Sequence, residues 1–174
     1  MKKYIIDGSW SIGKTTYCNE LKEQGWSYLP EPKHEDIGVQ AEEKTTYYAM
    51  AHLKNLLLFS LETNNTVMER SIFSTIAFLY ALDDDFWKIL LKESQSLLNK
   101  NTEIFTFFRE KEKDDILESL QINPDKRPHF HHKYLEGWKI IDKNIEHKMH
   151  FHTLKNDQYV SNIMQKYEYP ILRL

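Results

Sequence analysis

A chain of 174 residues with 41% hydrophobic content is long enough for one substantial core and is not a disordered tail. A formal net charge of −3 gives no global electrostatic case for nucleic acid or an anionic membrane as partner. Cys18 is the only cysteine, which excludes an intrachain disulfide framework, and no apolar run reaches the roughly 18 residues of a spanning helix. A soluble cytoplasmic protein of one domain, residues 1–174, is the expectation, with an N-terminus that reads as a strand and not as a signal peptide.

Residues 4–7 predict a short buried strand and residues 14–24 a helix. Between them runs Gly8-Ser9-Trp10-Ser11-Ile12-Gly13-Lys14-Thr15-Thr16, a Gly-x-x-x-x-Gly-Lys-Thr pattern in the strand–loop–helix setting of a phosphate-binding loop. Its glycines admit phosphate close to the backbone, and the loop N–H groups with the positive end of the helix cradle the oxygens. Lys14 is expected to reach the β- and γ-phosphates, and the Thr15 hydroxyl to serve magnesium. ATP and Mg2+ are the expected ligands, and Gly8, Ser9, Trp10, Ser11, Ile12, Gly13, Lys14, Thr15 and Thr16 the nucleotide-binding set. Cys18, inside the helix, reads as a small core filler.

Gly25 ends that helix, and residues 26–29 read as a second strand before Pro30 and Pro32 break the pattern. Residues 42–62 predict a long helix with an apolar stripe of Tyr47, Met50, Ala51, Leu53, Leu57 and Leu61. A third strand is expected over 66–69, and helices over 72–82 and 86–98, the latter capped by Asp83-Asp84-Asp85. A fourth strand covers 103–108, a short helix 113–120, a lid loop 121–131, and a helix 132–146. Residues 150–154 form the last strand and 158–167 the last helix. Strands alternating with helices imply an α/β fold, a parallel sheet covered on both faces with ligands at the carboxyl ends of the strands.

Two further stretches fall at that edge. Leu29-Pro30-Glu31-Pro32 sets a carboxylate after the second strand, and Met68-Glu69-Arg70-Ser71 sets an acid and an arginine after the third. Phosphoryl transfer uses such parts: a base for the acceptor hydroxyl, an acid near the metal and a cation on the migrating charge.

With residues 8–16 and Glu31-Pro32, the run Met68-Glu69-Arg70-Ser71-Ile72-Phe73-Ser74 resembles the deoxynucleoside kinase family, within the group that includes thymidylate kinases. The resemblance covers residues 4–78 most clearly and implies a three-layer P-loop kinase fold with a five-stranded parallel sheet and a lid. It also implies that Glu31 is the general base for a substrate 5′-hydroxyl. Arg70 would hold that carboxylate or the transferred phosphoryl, and Glu69 would serve magnesium. A homodimer packed through the helices around residues 45–61 and 72–82 is expected on the same ground.

The chain departs from the family in several places. Ser11 stands where a further glycine is usual, Trp10 is bulky for a phosphate loop, and no tryptophan follows Glu31-Pro32. The closely spaced lid arginines are missing, which leaves Lys126 and Arg127 as lid cations and Arg109 as a substitute. In the acceptor pocket the family's glutamine has no counterpart on the long helix, since Gln40 precedes it. The alignment leaves Tyr48, Ala49 or His52 facing the site, and small Thr75 suits a pyrimidine.

Three other readings stay open. A deoxynucleoside monophosphate kinase would use Lys33 or His34 as an extra cation. A kinase of a modified pyrimidine or of DNA would need a basic groove, and a non-catalytic nucleotide-binding module would fit the thin lid charge. The runs His129-Phe130-His131-His132 and His150-Phe151-His152 invite a metal reading but show no obvious acid partner in sequence. Lys111-Glu112-Lys113-Asp114-Asp115 reads as a solvated helix start.

Overall fold

The computed structural model describes residues 1–33, 44–155 and 157–168. Five strands, β1 (Lys3–Gly8), β2 (Ser27–Leu29), β3 (Thr66–Glu69), β4 (Thr102–Arg109) and β5 (Lys148–Leu154), form one sheet in the order β2-β3-β1-β4-β5. Every pairing is parallel, as the strand–helix alternation requires. The helices are α1 (Lys14–Glu23), α2 (Lys44–Leu61), α3 (Ile72–Ala81), α4 (Phe86–Ser94), α5 (Asp114–Ser119), α6 (Arg127–Asn144) and α7 (Val160–Glu168).

Alternation along the strands divides the core. Ile5, Met68, Ile104 and Phe108 pack with α2, α3 and α6 on one face, while Tyr4, Ile6, Val67, Phe105 and Phe107 pack with α1 and α7 on the other. The result is a three-layer α/β fold. Cys18 is fully buried in the second cluster, as a core filler would be. Among the described residues, no helix is long and apolar enough to cross a membrane.

Several elements correct the sequence reading. Helix α6 starts at Arg127 and takes in residues 127–131 of the expected lid loop 121–131, because Pro128 sits in its first turn, where the missing N–H costs nothing. On α2 the expected core stripe is largely exposed: Tyr47, Met50, Leu57 and Leu61 face outward, and Ala49, His52, Leu56 and Phe59 are buried. This helix is apolar on both sides, so periodicity alone could not choose the inner one. Of the two helices expected at a dimer interface, α3 is buried within the chain and α2 carries the exposed apolar side chains.

Glu112 is also buried, at 1% exposure, although its neighbours Lys111, Lys113, Asp114 and Asp115 are exposed. Only part of that run is therefore a solvated helix start. The Asp83–Asp85 turn does cap α4, through Asp84 Oδ1, which accepts from Phe86 N at 3.0 Å. The start of the long helix at residues 42 and 43 lies outside the described residues, as do Gln40 and His34.

Gly137 lets α6 cross α3 closely. A methyl group there would lie 2.9 Å from Ala77 Cα and 3.2 Å from its carbonyl oxygen. Gly137→Ala is therefore expected to destabilise the protein by about 1–2 kcal/mol net of the helix-propensity gain, lowering Tm by roughly 2–8 °C. A thermal melt checks this; an unchanged or higher Tm would show that the helices part at no cost.

Candidate functional site

The carboxyl ends of β1, β3 and β4 meet at the loop that follows β1. Gly8 ends β1 at φ 112°, and a Cβ there would lie 2.0 Å from the carbonyl oxygen of Phe107. That closeness lets Ser9 N donate to Phe107 O at 2.8 Å, which pins the loop to β4. Gly13 takes the N-cap position of α1 at φ 83°, and no side chain caps the helix. An uncapped helix N-terminus facing a glycine loop is a site for an anion. Ile12 is buried beneath the loop, its carbonyl accepting from Val160 N, while Ser11, Thr15 and Thr16 are exposed.

Arg109 braces the loop from β4. Its N–H donates to Ser9 Oγ at 3.2 Å and its Nη2 to Ser11 O at 3.0 Å. The two lid cations are occupied elsewhere: Lys126 Nζ donates to Leu82 O at 2.6 Å, and Arg127 Nε to Ile122 O at 2.9 Å. The guanidinium the structure places against the phosphate loop from β4 is thus Arg109.

Glu69 and Arg70 leave the end of β3 in opposite directions. Glu69 turns to the α1 side, where its carboxylate accepts from Thr15 Oγ1 at 2.6 Å and from Tyr28 OH at 2.5 Å. Tyr28 lies opposite Val67 on β3, the residue that shares a face with Glu69. Burial first, and then this hydrogen bond, pushes the Tyr28 phenol pKa up, so it stays a donor. A hydroxyl and a carboxylate converging here are hard oxygen donors that fit a magnesium ion.

Arg70, at φ 55°, turns to the other side. Its Nη1 donates to Gly8 O at 3.0 Å and lies 3.9 Å from Asp7 Oδ1. Its Nε is 2.9 Å from Glu31 Oε1, an ion pair in which the N–H is not aimed along the contact. The register explains the meeting: Leu29 pairs with Met68, so two residues further on Glu31 comes opposite Arg70. Burial alone would lower the Arg70 pKa, but the surrounding acids, Glu31 first, outweigh it and keep the guanidinium charged. The Arg70 Cζ also lies 4.6 Å from the centre of the Trp10 ring.

Lys14 is buried and donates to Ser9 O. Burial, and then the nearby Arg70 charge, lowers its pKa to about 7. Asp7 is fully buried below it and accepts from Gly8 N at 2.8 Å, Ser71 N at 2.9 Å and Ser71 Oγ at 2.9 Å. Burial raises the Asp7 pKa against the pull of Arg70. Asp7, Ser71 and Tyr28 were not assigned roles from the sequence. Strand parity was the available signal for Tyr28, and the turn after β3 supplies the Ser71 N–H to Asp7.

Of the expected acceptor-side residues, His52 is 2% exposed with Nδ1 unpartnered, and burial, then Arg70, lowers its pKa to about 3. It is a neutral imidazole at any physiological pH. The Tyr48 ring lies 6.0 Å from it, centre to centre. Thr75 is buried on α3. Asn55 ties α2 to the Glu31 segment by donating to Pro30 O at 3.0 Å.

The histidine runs do have acid partners. His150 Nε2 lies 2.8 Å from Glu103 Oε2, and His132 Nε2 3.2 Å from Glu136 Oε1. His150 and His152 do share one face of β5, stacked on Phe105 and Phe107. Among the described residues there is no group of three or more metal-ligating side chains.

No family model matches the sequence, and no curated protein sequence matches it. Solved structures do resemble it in fold. Thymidylate kinase from Ehrlichia chaffeensis superposes with a TM-score of 0.60 at 16% identity, covering 99% of this chain and 98% of that one. Deoxyadenosine kinase from M. mycoides, solved with bound dATP, gives 0.61 at 16% identity over 95% of this chain and 99% of that one. The YorR protein from Bacillus subtilis, in complex with phosphorylated GDP, gives 0.54 at 15% identity over 98% and 95%. With its five-stranded parallel sheet and flanking helices, the chain has the P-loop fold of the thymidylate and deoxynucleoside kinases.

Proposed function

We propose that the protein transfers the γ-phosphoryl group of ATP to the 5′-hydroxyl of a deoxynucleoside, preferably a pyrimidine. The observation that supports this most is the placement of the Glu31 carboxylate against Arg70, at the same sheet edge as Lys14 and the phosphate loop. Glu31 takes the proton of the 5′-hydroxyl as its oxygen attacks the γ-phosphorus, and the bond to the bridging oxygen breaks to release ADP. Lys14 holds the β- and γ-phosphates, and Arg70 meets the charge on the migrating group. Arg109, fixed to Ser9 and Ser11, supplies a donor-side cation in place of the lid pair. Thr15 and Glu69 would hold magnesium, which neutralises charge on the phosphates when bound.

A monophosphate acceptor fits less well. The Glu31 carboxylate, which faces the acceptor in this reading, would repel a second anion. A net charge of −3 likewise disfavours DNA. A transfer assay with ATP labelled in its γ-phosphoryl, run against deoxynucleosides, their monophosphates and single-stranded DNA, decides among these. Labelled nucleosides are expected, with thymidine or deoxycytidine best. Labelled monophosphates with unlabelled nucleosides would overturn the proposal. ATP binding with no acceptor labelled would instead make the protein a nucleotide-binding module.

The state of Lys14 adds a pH signature. Its pKa of about 7 without ligand lies below that of a free lysine, so the neutral amine prevails above pH 7. A triphosphate beside it favours the charged form, so binding above pH 7 must take up a proton. Calorimetry at pH 8 in buffers of different ionisation enthalpy is expected to show uptake of about one proton, with ATP affinity falling as pH rises from about 7 to 9. Lys14→Met should abolish the uptake; wild-type binding without proton uptake would contradict the assignment.

A further inference from the structure

Within this reading of the site, we propose that Trp10 is a positioning residue whose indole face holds the Arg70 guanidinium in place for the transferred charge. Trp10 belongs to a loop whose phosphate-cradling task favours small residues, yet its ring turns away from that task. It leans on Tyr134 at 5.3 Å, on Phe130 at 6.3 Å and on Phe78 at 6.5 Å between ring centres. These rings belong to α3 and α6, which hold the indole in place.

The indole also lies against Arg70, with Cζ over the ring at 4.6 Å from its centre. Nη1 donates to Gly8 O and Nε pairs with Glu31 by charge at 2.9 Å without a directed hydrogen bond, so the edge contacts alone do not fix the cation, and Cζ lies over the indole ring. Arg70 is only 3% exposed, and a cation–π contact is strongest where water is excluded. A single hydrogen bond to Gly8 O and an undirected ion pair leave the guanidinium free to tilt, and the indole restricts that freedom. An aliphatic side chain of similar bulk would fill the space without attracting the cation.

The test compares Trp10→Phe, which keeps an aromatic face, with Trp10→Leu, an apolar side chain near phenylalanine in size that lacks one. Trp10→Leu is expected to lower kcat about 10- to 30-fold with KM for ATP moving less than about threefold, while Trp10→Phe stays within about threefold of wild type. Activity is expressed per folded molecule, with folding measured by thermal melts. If the two variants have equal kcat, or lose stability alone, Trp10 is a packing residue and the proposal fails.

A second readout does not depend on turnover. A guanidinium over an indole face is shielded, so the Arg70 Nε proton should resonate upfield of those of Arg109 and Arg127 in wild type and move downfield in Trp10→Leu. An unshifted wild-type signal overturns the contact. Should wild-type protein label no acceptor at all, the kinase reading fails, and this spectrum still decides whether Trp10 holds Arg70.

Discussion

Replacing Glu31 with glutamine is expected to lower kcat about a thousandfold, within the range that a general base contributes. Glutamine keeps the size of the side chain and an oxygen near Arg70, so it removes the proton acceptor and the charge that pairs with Arg70 while preserving the shape of the site. The fold should survive. Arg70 retains Gly8 O and the buried Asp7, and Glu31 itself lies outside the sheet, partly exposed beyond β2. KM for ATP should change little, because the phosphate loop, Lys14 and Arg109 are untouched. Steady-state kinetics with a deoxynucleoside acceptor check this, with Glu31→Asp as an intermediate case that keeps the charge but shortens the reach. A Glu31→Gln enzyme within tenfold of wild type would show that the acceptor proton leaves by another route.

Gly8→Ala is expected to cost more than about 4 kcal/mol and to leave little folded protein, the rare outcome for a single methyl group. The added Cβ would lie 2.0 Å from the oxygen, 2.6 Å from the nitrogen and 2.7 Å from the carbonyl carbon of Phe107. None of these atoms can step aside, because Phe107 pairs with Gly8 in the sheet and its oxygen accepts from Ser9 N. Gly13→Ala is the informative contrast. The atoms nearest its Cβ would be those of the Tyr159 side chain, from 3.3 Å, which can turn away. The remaining cost is the left-handed backbone, roughly 1–2 kcal/mol. Expression, circular dichroism and thermal melts of both variants are expected to show a folded Gly13→Ala protein and a largely unfolded Gly8→Ala protein. Two equally stable proteins would show that β1 and β4 can move apart.

Much of the site was legible because it is built at strand ends, where sequence spacing maps directly onto space. The glycine loop marks the end of β1, Glu31 follows β2, and Glu69–Arg70 closes β3. A parallel register then brings Glu31 opposite Arg70 without reference to anything distant. What was not legible depends on packing between layers. Nothing in the apolar run of α2 says that His52 and Leu56 face inward while Met50 and Leu61 face out. Glu112 looks like its charged neighbours, yet it is buried and near His131 and Tyr134 of α6. The lid was placed by its polar composition and two prolines, and Pro128, read there as a loop residue, in fact lies in the first turn of a helix.

The order of the strands bears on how such a site can change over evolutionary time. β1, which carries the phosphate loop, is clasped by a neighbour on each side, so a shift in its length would break two ladders at once. β2 is a three-residue rim strand paired only to β3, and Glu31 hangs from its end. An insertion at the rim therefore disturbs one short ladder, and the loop after β1 can stay as it is while the segment after β2 changes.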